Sequence, residues 1–112
     1  MDHIKLIGQD DFSLDEIRII QDIATKHFSK ISRMIENPTL TLKMKKHGKV
    51  LGTIAKKVKY SFHLKVVASD ILISATEADW NLARSLHGVF ENATSEIQKK
   101  IKKENRSWIQ SK

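Results

Sequence analysis

The chain has 112 residues, enough for one domain with a modest hydrophobic core. Its formal net charge of +7 favours a polyanionic partner, and the lack of cysteine excludes disulfides and thiolate metal sites and fits a reducing compartment. With no signal-peptide pattern and no apolar run of about 20 residues, we expect a cytoplasmic protein that does not cross a membrane.

The N-terminal third predicts a short strand and a long helix. Residues 3–8 alternate between apolar and polar side chains, as in a half-buried strand. Ser13 and Glu16 have the spacing of a capping box, which predicts that a helix begins there and ends before Pro38. The apolar face of this helix recurs at intervals of three and four: Ile17, Ile20, Ala24, Phe28, Ile31 and Ile35.

The middle of the chain predicts three strands. Residues 39–46 and 59–67 alternate between apolar and polar side chains over most of their length, so each strand has one apolar face and one polar, basic face. Residues 71–75 follow so closely that they predict an antiparallel neighbour. The connection formed by residues 47–57 either extends the flanking strands or covers an edge of the sheet.

A second capping box, Thr76 to Asp79, predicts another long helix with a basic end. Its predicted apolar face comprises Trp80, Ala83, Leu86, Phe90, Ala93, Ile97 and Ile101. The element order β-α-β-β-β-α predicts an α+β two-layer sandwich, in which two helices pack on one face of a four-stranded mixed sheet. We expect a single domain over residues 1–106 and a short tail over 107–112.

Lysine and arginine concentrate in separate segments of the chain. Residues 37–69 hold eight lysines and no acid, and residues 97–112 hold six cations and one acid. Most single surface lysines only solvate a face, but this enrichment predicts one continuous positive surface that binds nucleic acid. The residues predicted to contact it are Lys26, Lys30, Arg33, Lys43, Lys45, Lys46, Lys49, Lys99, Lys100 and Lys103.

The sequence offers little for catalysis. Its five histidines lack metal-ligand spacing, and no Walker loop, nucleophile elbow or dinucleotide fingerprint occurs. We therefore expect no enzyme, metal, cofactor or small-molecule substrate. His27 and His87 border helical apolar faces and are expected to be structural, whereas His63 faces solvent or RNA. Trp108 is expected to pack on the body of the domain rather than stack on a base.

Nearly the whole chain carries a series of short segments: I-K-L-I, S-L-D-E-I-R, F-H-L-K-V, D-I-L-I-S-A, A-D-W-N-L-A and a Lys-rich helix end. In this order they resemble the ribosome hibernation promoting factor and ribosome-associated inhibitor (protein Y) family. The resemblance implies a sheet with two helices on one face, reminiscent of double-stranded RNA-binding domains. It also implies binding to rRNA in the mRNA and tRNA channel of the small ribosomal subunit, which silences idle ribosomes when growth slows.

The chain departs from the family pattern at three places. An alignment through Trp80 and Phe90 places Asn92 near an arginine position of the last helix, whereas an alignment on I-Q-K-K-I-K-K places lysines there. The connection 47–57 is longer and more basic than the family pattern, and the early end after the last helix corresponds to the short form. Two alternatives are a free-standing double-stranded RNA-binding module and a protein-interaction domain that modulates a transcription factor.

Overall fold

The computed structural model contains a four-stranded sheet and two helices. It describes the backbone of residues 4–51, 55–68 and 71–110 and the side chains of 4–47, 58–68 and 71–101. The elements are β1 (Ile4–Ile7), α1 (Leu14–Met34), β2 (Thr39–Leu51), β3 (Ala55–Ala68), β4 (Ile71–Asp79) and α2 (Leu82–Gln110), with a 3₁₀ turn at Gln9–Asp11. The predicted α+β class and element order are confirmed. Because α2 continues to Gln110, most of the predicted tail is helical.

The strands lie side by side in the order β1-β2-β3-β4. β1 is parallel to β2, because α1 carries the chain back to the same end of the sheet, and the other two pairs are antiparallel. The register aligns Leu42 with Leu64 and Ala75, which are all buried. One position further along β2, Lys43 aligns with His63 and Thr76 on the opposite face.

The hydrophobic core lies between the apolar face of the sheet and the two helices. Ile20, Ala24 and Ile31 of α1 and Phe90 and Ile97 of α2 are completely or almost completely buried, which confirms these five positions of the predicted helix faces. Both helices therefore cover the same face of the sheet.

For the connection 47–57, the sequence allows two alternatives, and the described residues 47–51 and 55–57 extend the flanking strands. β2 continues to Leu51 and β3 begins at Ala55, and these two residues are partners in the ladder. β1 pairs with β2 only as far as Lys43, so the hairpin projects well past this neighbour.

The start of α1 has the predicted capping box. The Ser13 hydroxyl accepts from the Glu16 N–H at 3.2 Å, and Glu16 Oε1 accepts from the Ser13 N–H at 2.9 Å. The preceding turn depends on Gly8, which has φ 92°, and a Cβ there would overlap the carbonyl oxygen of Met44. Only glycine fits this turn without strain.

The second predicted capping box is wrong. Thr76 and Asp79 belong to β4, because pairing with β3 continues to the last residue of β4. Instead, Asn81 Oδ1 accepts from the Arg84 N–H at 2.9 Å and caps α2. Trp80 therefore precedes the helix and is 57% exposed, contrary to the prediction that it belongs to the core.

A salt bridge beside this cap joins the end of β4 to the first turn of α2. Arg84 Nε and Nη2 donate to Asp79 at 2.8 and 2.9 Å. These hydrogen bonds from Arg84 lower the pKa of Asp79 to about 2.

Two histidines join the helices, as expected for structural histidines. His27 Nε2 and His87 Nδ1 are 2.9 Å apart, and the His27 ring stacks on Phe90 with centroids 4.8 Å apart. Burial lowers the pKa of His27, and the nearby His87 and Lys30 lower it further against the opposing charge of Glu91. The pair is therefore most compatible with the fold when His27 is neutral.

Replacement of the α2 cap provides a test of where this helix begins. We expect Asn81→Ala to lower the free energy of unfolding by about 1 kcal/mol, because the Arg84 N–H loses its acceptor. Thr76→Val removes the hydroxyl of the wrongly predicted cap but keeps the β-branched shape, and we expect a change within about 0.5 kcal/mol. Urea unfolding measures both, and a larger loss from Thr76→Val would contradict this helix start.

Candidate nucleic-acid interface

The face of the sheet opposite the helices is open, and we call it the open face. Alternation along each strand places every second residue there. The described side chains of the open face are Lys5, Ile7, Thr39, Thr41, Lys43, Lys45, His47, Lys59, Ser61, His63, Lys65, Val67, Leu72, Ser74, Thr76 and Ala78.

The described charged side chains of the open face, apart from its histidines, are all lysines. Five of its described side chains are lysines, all exposed, and none of its described side chains is a carboxylate. Neighbouring strands are about 4.8 Å apart, so adjacent lysines lie within a Debye length of about 8–10 Å. Their fields therefore add over the whole face.

The lysines are spaced rather than clustered. Thr41 lies between Lys5 and Lys65 in one row across the sheet, and His63 is next to Lys43 in another. In the described rows each lysine is thus opposite a hydroxyl-bearing side chain or a histidine and not another lysine, which limits the like-charge repulsion between directly paired residues. Such spacing suits an extended partner with many separate negative charges.

The centre of the open face is concave, with a hollow of about 800 Å³. Lys43 and Lys45 line it together with Ser61 and His63. His63 Nε2 and Ser74 Oγ are 2.7 Å apart, so hydrogen-bonding groups lie between the cations. Two acidic residues, Asp11 of the 3₁₀ turn and Glu77 of β4, also line this hollow.

The cations predicted on the helices occupy the other layer of the molecule. Lys26, Lys30 and Arg33 are exposed along α1, and Lys99 and Lys100 are exposed on α2.

Carboxylates accompany two of these helical cations. Lys26 forms an ion pair with Asp22 at 3.7 Å, and Lys99 forms one with Glu96 at 3.8 Å. Lys100 Nζ donates instead to the Leu72 carbonyl at the edge of the sheet. The eight predicted cations whose side chains the structure describes therefore do not form one continuous face, and the helical layer carries mixed charge.

Lys46 is separated from the open face although it follows Lys45 directly. Its side chain points toward α1, where Nζ donates to Glu16 Oε1 at 2.7 Å, and Tyr60 Oη donates to the other carboxylate oxygen at 3.0 Å. Both partners of the ion pair are largely buried, with 26% and 17% of their side chains exposed. Lys46 therefore contributes to the fold, and its predicted RNA contact is not favoured by this arrangement.

Burial opposes ionisation of Glu16, but its hydrogen bonds outweigh that effect. Lys46, the Ser13 N–H and Tyr60 all donate to the carboxylate and hold its pKa below the ordinary value of 4.5. Burial and the same carboxylate raise the pKa of Tyr60. The cluster is thus arranged for an ionised Glu16 at neutral pH.

Sequence reasoning selected some cations of the open face and missed others. Lys43 and Lys45 were predicted, whereas Lys5, Lys59 and Lys65 were not, although their alternation with apolar neighbours placed them on the polar side of strands. The predicted contacts Lys49 and Lys103 lie outside the described side chains, as does Trp108.

Two further properties concern the described part of the chain. No group of three or more side chains from His, Cys, Asp and Glu is placed to hold a metal ion there. None of the described helices has both the length and the hydropathy needed to span a bilayer.

Comparison with known proteins gives no family assignment. No protein-family model matches the sequence, and no curated protein matches it. The resemblance to the hibernation factor family stays a prediction that rests on the segments quoted above.

Neutralisation of Glu16 tests the cluster that captures Lys46. At pH 7 we expect Glu16→Gln to lower the free energy of unfolding by about 1–2 kcal/mol, because a largely buried ammonium loses its counter-ion. Asp15→Asn removes the same charge from the first turn of α1 at an exposed site and should have a smaller effect.

The pH dependence of the free energy of unfolding shows whether ionised Glu16 stabilises the fold. A carboxyl group with a lowered pKa stabilises the fold above its unfolded-state value of about 4.5 and loses that contribution as the pH falls through the folded-state value. The stabilities of wild type and Glu16→Gln should therefore converge in acid. A difference that stays constant from pH 7 to pH 3 would contradict the assigned role.

Proposed function

We propose that this protein is a cytoplasmic RNA-binding factor that lies on rRNA of the small ribosomal subunit and blocks translation. The observation that carries the proposal is the open face, with five exposed lysines and no carboxylate among its described side chains. RNA is the partner whose charge complements this face, because its phosphates repeat along an extended backbone.

The chemistry of the open face suits backbone contacts more than base reading. Lysine is a flexible point charge that pairs with phosphate without strict geometry. The hydroxyls of Ser61 and Thr76 and the ring of His63 provide hydrogen bonds to sugar and phosphate oxygens between the cations. Recognition would then depend on the shape of a structured RNA rather than on its sequence.

The choice of the ribosome as target comes from the family resemblance. A protein of this size in the mRNA and tRNA channel of the small subunit would act by occlusion. It would hold the channel closed through ionic contacts, and no bond would form or break. Such a mechanism requires a rigid body, and the packed core between sheet and helices is consistent with that requirement.

The open face is a better candidate for the main contact than the helical layer. A phosphate that approaches Lys26 or Lys99 also approaches Asp22 or Glu96, which repel it. Lys43 and Lys65 have no carboxylate beside them among the described side chains of the open face, whereas Asp11 and Glu77 line the hollow from outside that set. The helical cations then serve as peripheral contacts.

Two charge-reversed variants distinguish these surfaces. We expect Lys43→Glu combined with Lys45→Glu to abolish co-sedimentation of the purified protein with small ribosomal subunits at low salt. Lys26→Glu combined with Lys30→Glu changes the net charge equally on the helical layer and should retain most of the binding. Exposed charges contribute little to stability, so both variants should melt close to the wild type.

Salt dependence provides a quantitative measure of the same contact. For Lys43→Gln combined with Lys45→Gln, we expect the slope of log affinity against log salt concentration to become shallower by about two, one for each lost phosphate contact. The same variant should lose its ability to inhibit cell-free translation. Equal losses from the α1 variant would contradict the open face as the interface.

Competition experiments decide between the proposal and its alternatives. If an isolated RNA duplex competes as effectively as small subunits, the protein is a free-standing duplex-binding module. If association with the ribosome fraction survives nuclease treatment, the partner is a protein and the proposed function is wrong.

A further inference from the structure

Trp80 lies at one end of the open face. It follows β4 directly, and 57% of its surface is exposed. Lys59 Nζ is 5.7 Å from the centre of its ring, which places the indole beside a lysine of the open face. Exposure of a large aromatic side chain to water is unfavourable in free energy, and such side chains are a frequent feature of binding sites.

The exposure of Trp80 results from the position at which α2 begins. Had the helix started at the predicted capping box, the spacing of the apolar residues would have directed Trp80 into the core with Leu86 and Phe90. The helix starts at Leu82 instead, and the Asn81 cap and the Asp79–Arg84 pair fix the backbone on either side. The indole is therefore held at the surface by ordered neighbours.

We infer that Trp80 and Lys59 form a stacking site for an unpaired RNA base, an inference that rests on the proposed function. Tryptophan presents a broad π-face on which any base can stack, and the ammonium beside it can pair with the phosphate of the same nucleotide. The contact of an exposed cation with an aromatic ring is weak, so the amine can leave the ring for a phosphate.

The position of this site matches the path of an RNA backbone along the open face. His47 is paired with Lys59, and Lys45 is paired with Ser61 one step closer to the centre of the sheet. A strand whose phosphates contact Lys43 and Lys45 therefore reaches Trp80 at the end of the same surface. Because bases in a duplex are already stacked and paired, Trp80 selects an unpaired base at a loop, bulge or end.

Fluorescence tests the stacking directly. The chain has two tryptophans, so Trp108→Phe leaves Trp80 as the only one. We expect a single-stranded RNA of about 12 nucleotides to quench the emission of this variant, because a stacked base contacts the indole. A duplex of the same length and sequence should bind through phosphates but leave the emission nearly unchanged.

Affinity measurements provide the second readout. For Trp80→Ala we expect about tenfold weaker binding of the single strand, with duplex binding changed less than about twofold. Trp80→Phe should retain most of the single-strand affinity and serves as the variant of choice if the alanine substitution impairs folding. Leu14→Ala removes an exposed apolar side chain of the helical layer, 82% exposed at the start of α1, and should leave both affinities unchanged.

The outcomes separate this inference from the function it extends. Loss of single-strand affinity together with quenching supports the stacking site. If both RNAs bind, but the single strand neither quenches Trp80 nor binds Trp80→Ala more weakly, the stacking site is wrong and the RNA-binding face stands. If the wild type binds neither RNA nor small subunits, the proposed function fails first.

Discussion

The strict alternation of side chains along the sheet determines both the fold and the charged surface. Leu42 and Leu64 face the helices because their neighbours Lys43 and His63 face away, and a shift of one residue would exchange the two sets. Such a shift would bury lysines without partners, at a cost far above the net stability of a small domain. The hydrophobic effect therefore fixes the register, and the register in turn gathers cations from separate strands onto one face.

Local signals in the sequence were sufficient where no distant residue competed with them. The Ser13 capping box lies between a turn and a helix, and the structure contains it as predicted. The predicted helix start at Thr76 is wrong because the backbone of residues 76–79 forms hydrogen bonds with β3 and extends β4 instead. This competition involves residues far away in sequence, so a local pattern could not reveal it. The exposure of Trp80 depends on where α2 begins, so the local pattern could not predict it either.

The charged surface was only partly predictable for a related reason. Counting lysines along the chain identifies a basic segment but does not tell which side of a strand each lysine occupies. Lys45 and Lys46 are neighbours, yet one reaches the open face and the other is held by Glu16, a residue of α1. Lys5 was missed because it is isolated in sequence, although the parallel pairing of β1 places it beside Thr41.

The concentration of lysines on the open face works against the stability of the isolated protein. Like charges repel within a Debye length, and none of the described strand side chains on this face offsets them. Thr41 separates Lys5 from Lys65, and Lys43 lies in another row. This arrangement reduces the repulsion between the three lysines without removing it. A polyanion that binds this face relieves the repulsion and binds only the folded chain, so it stabilises the fold by mass action. The feature that costs stability in the free protein is therefore the one that gives an extended RNA its affinity.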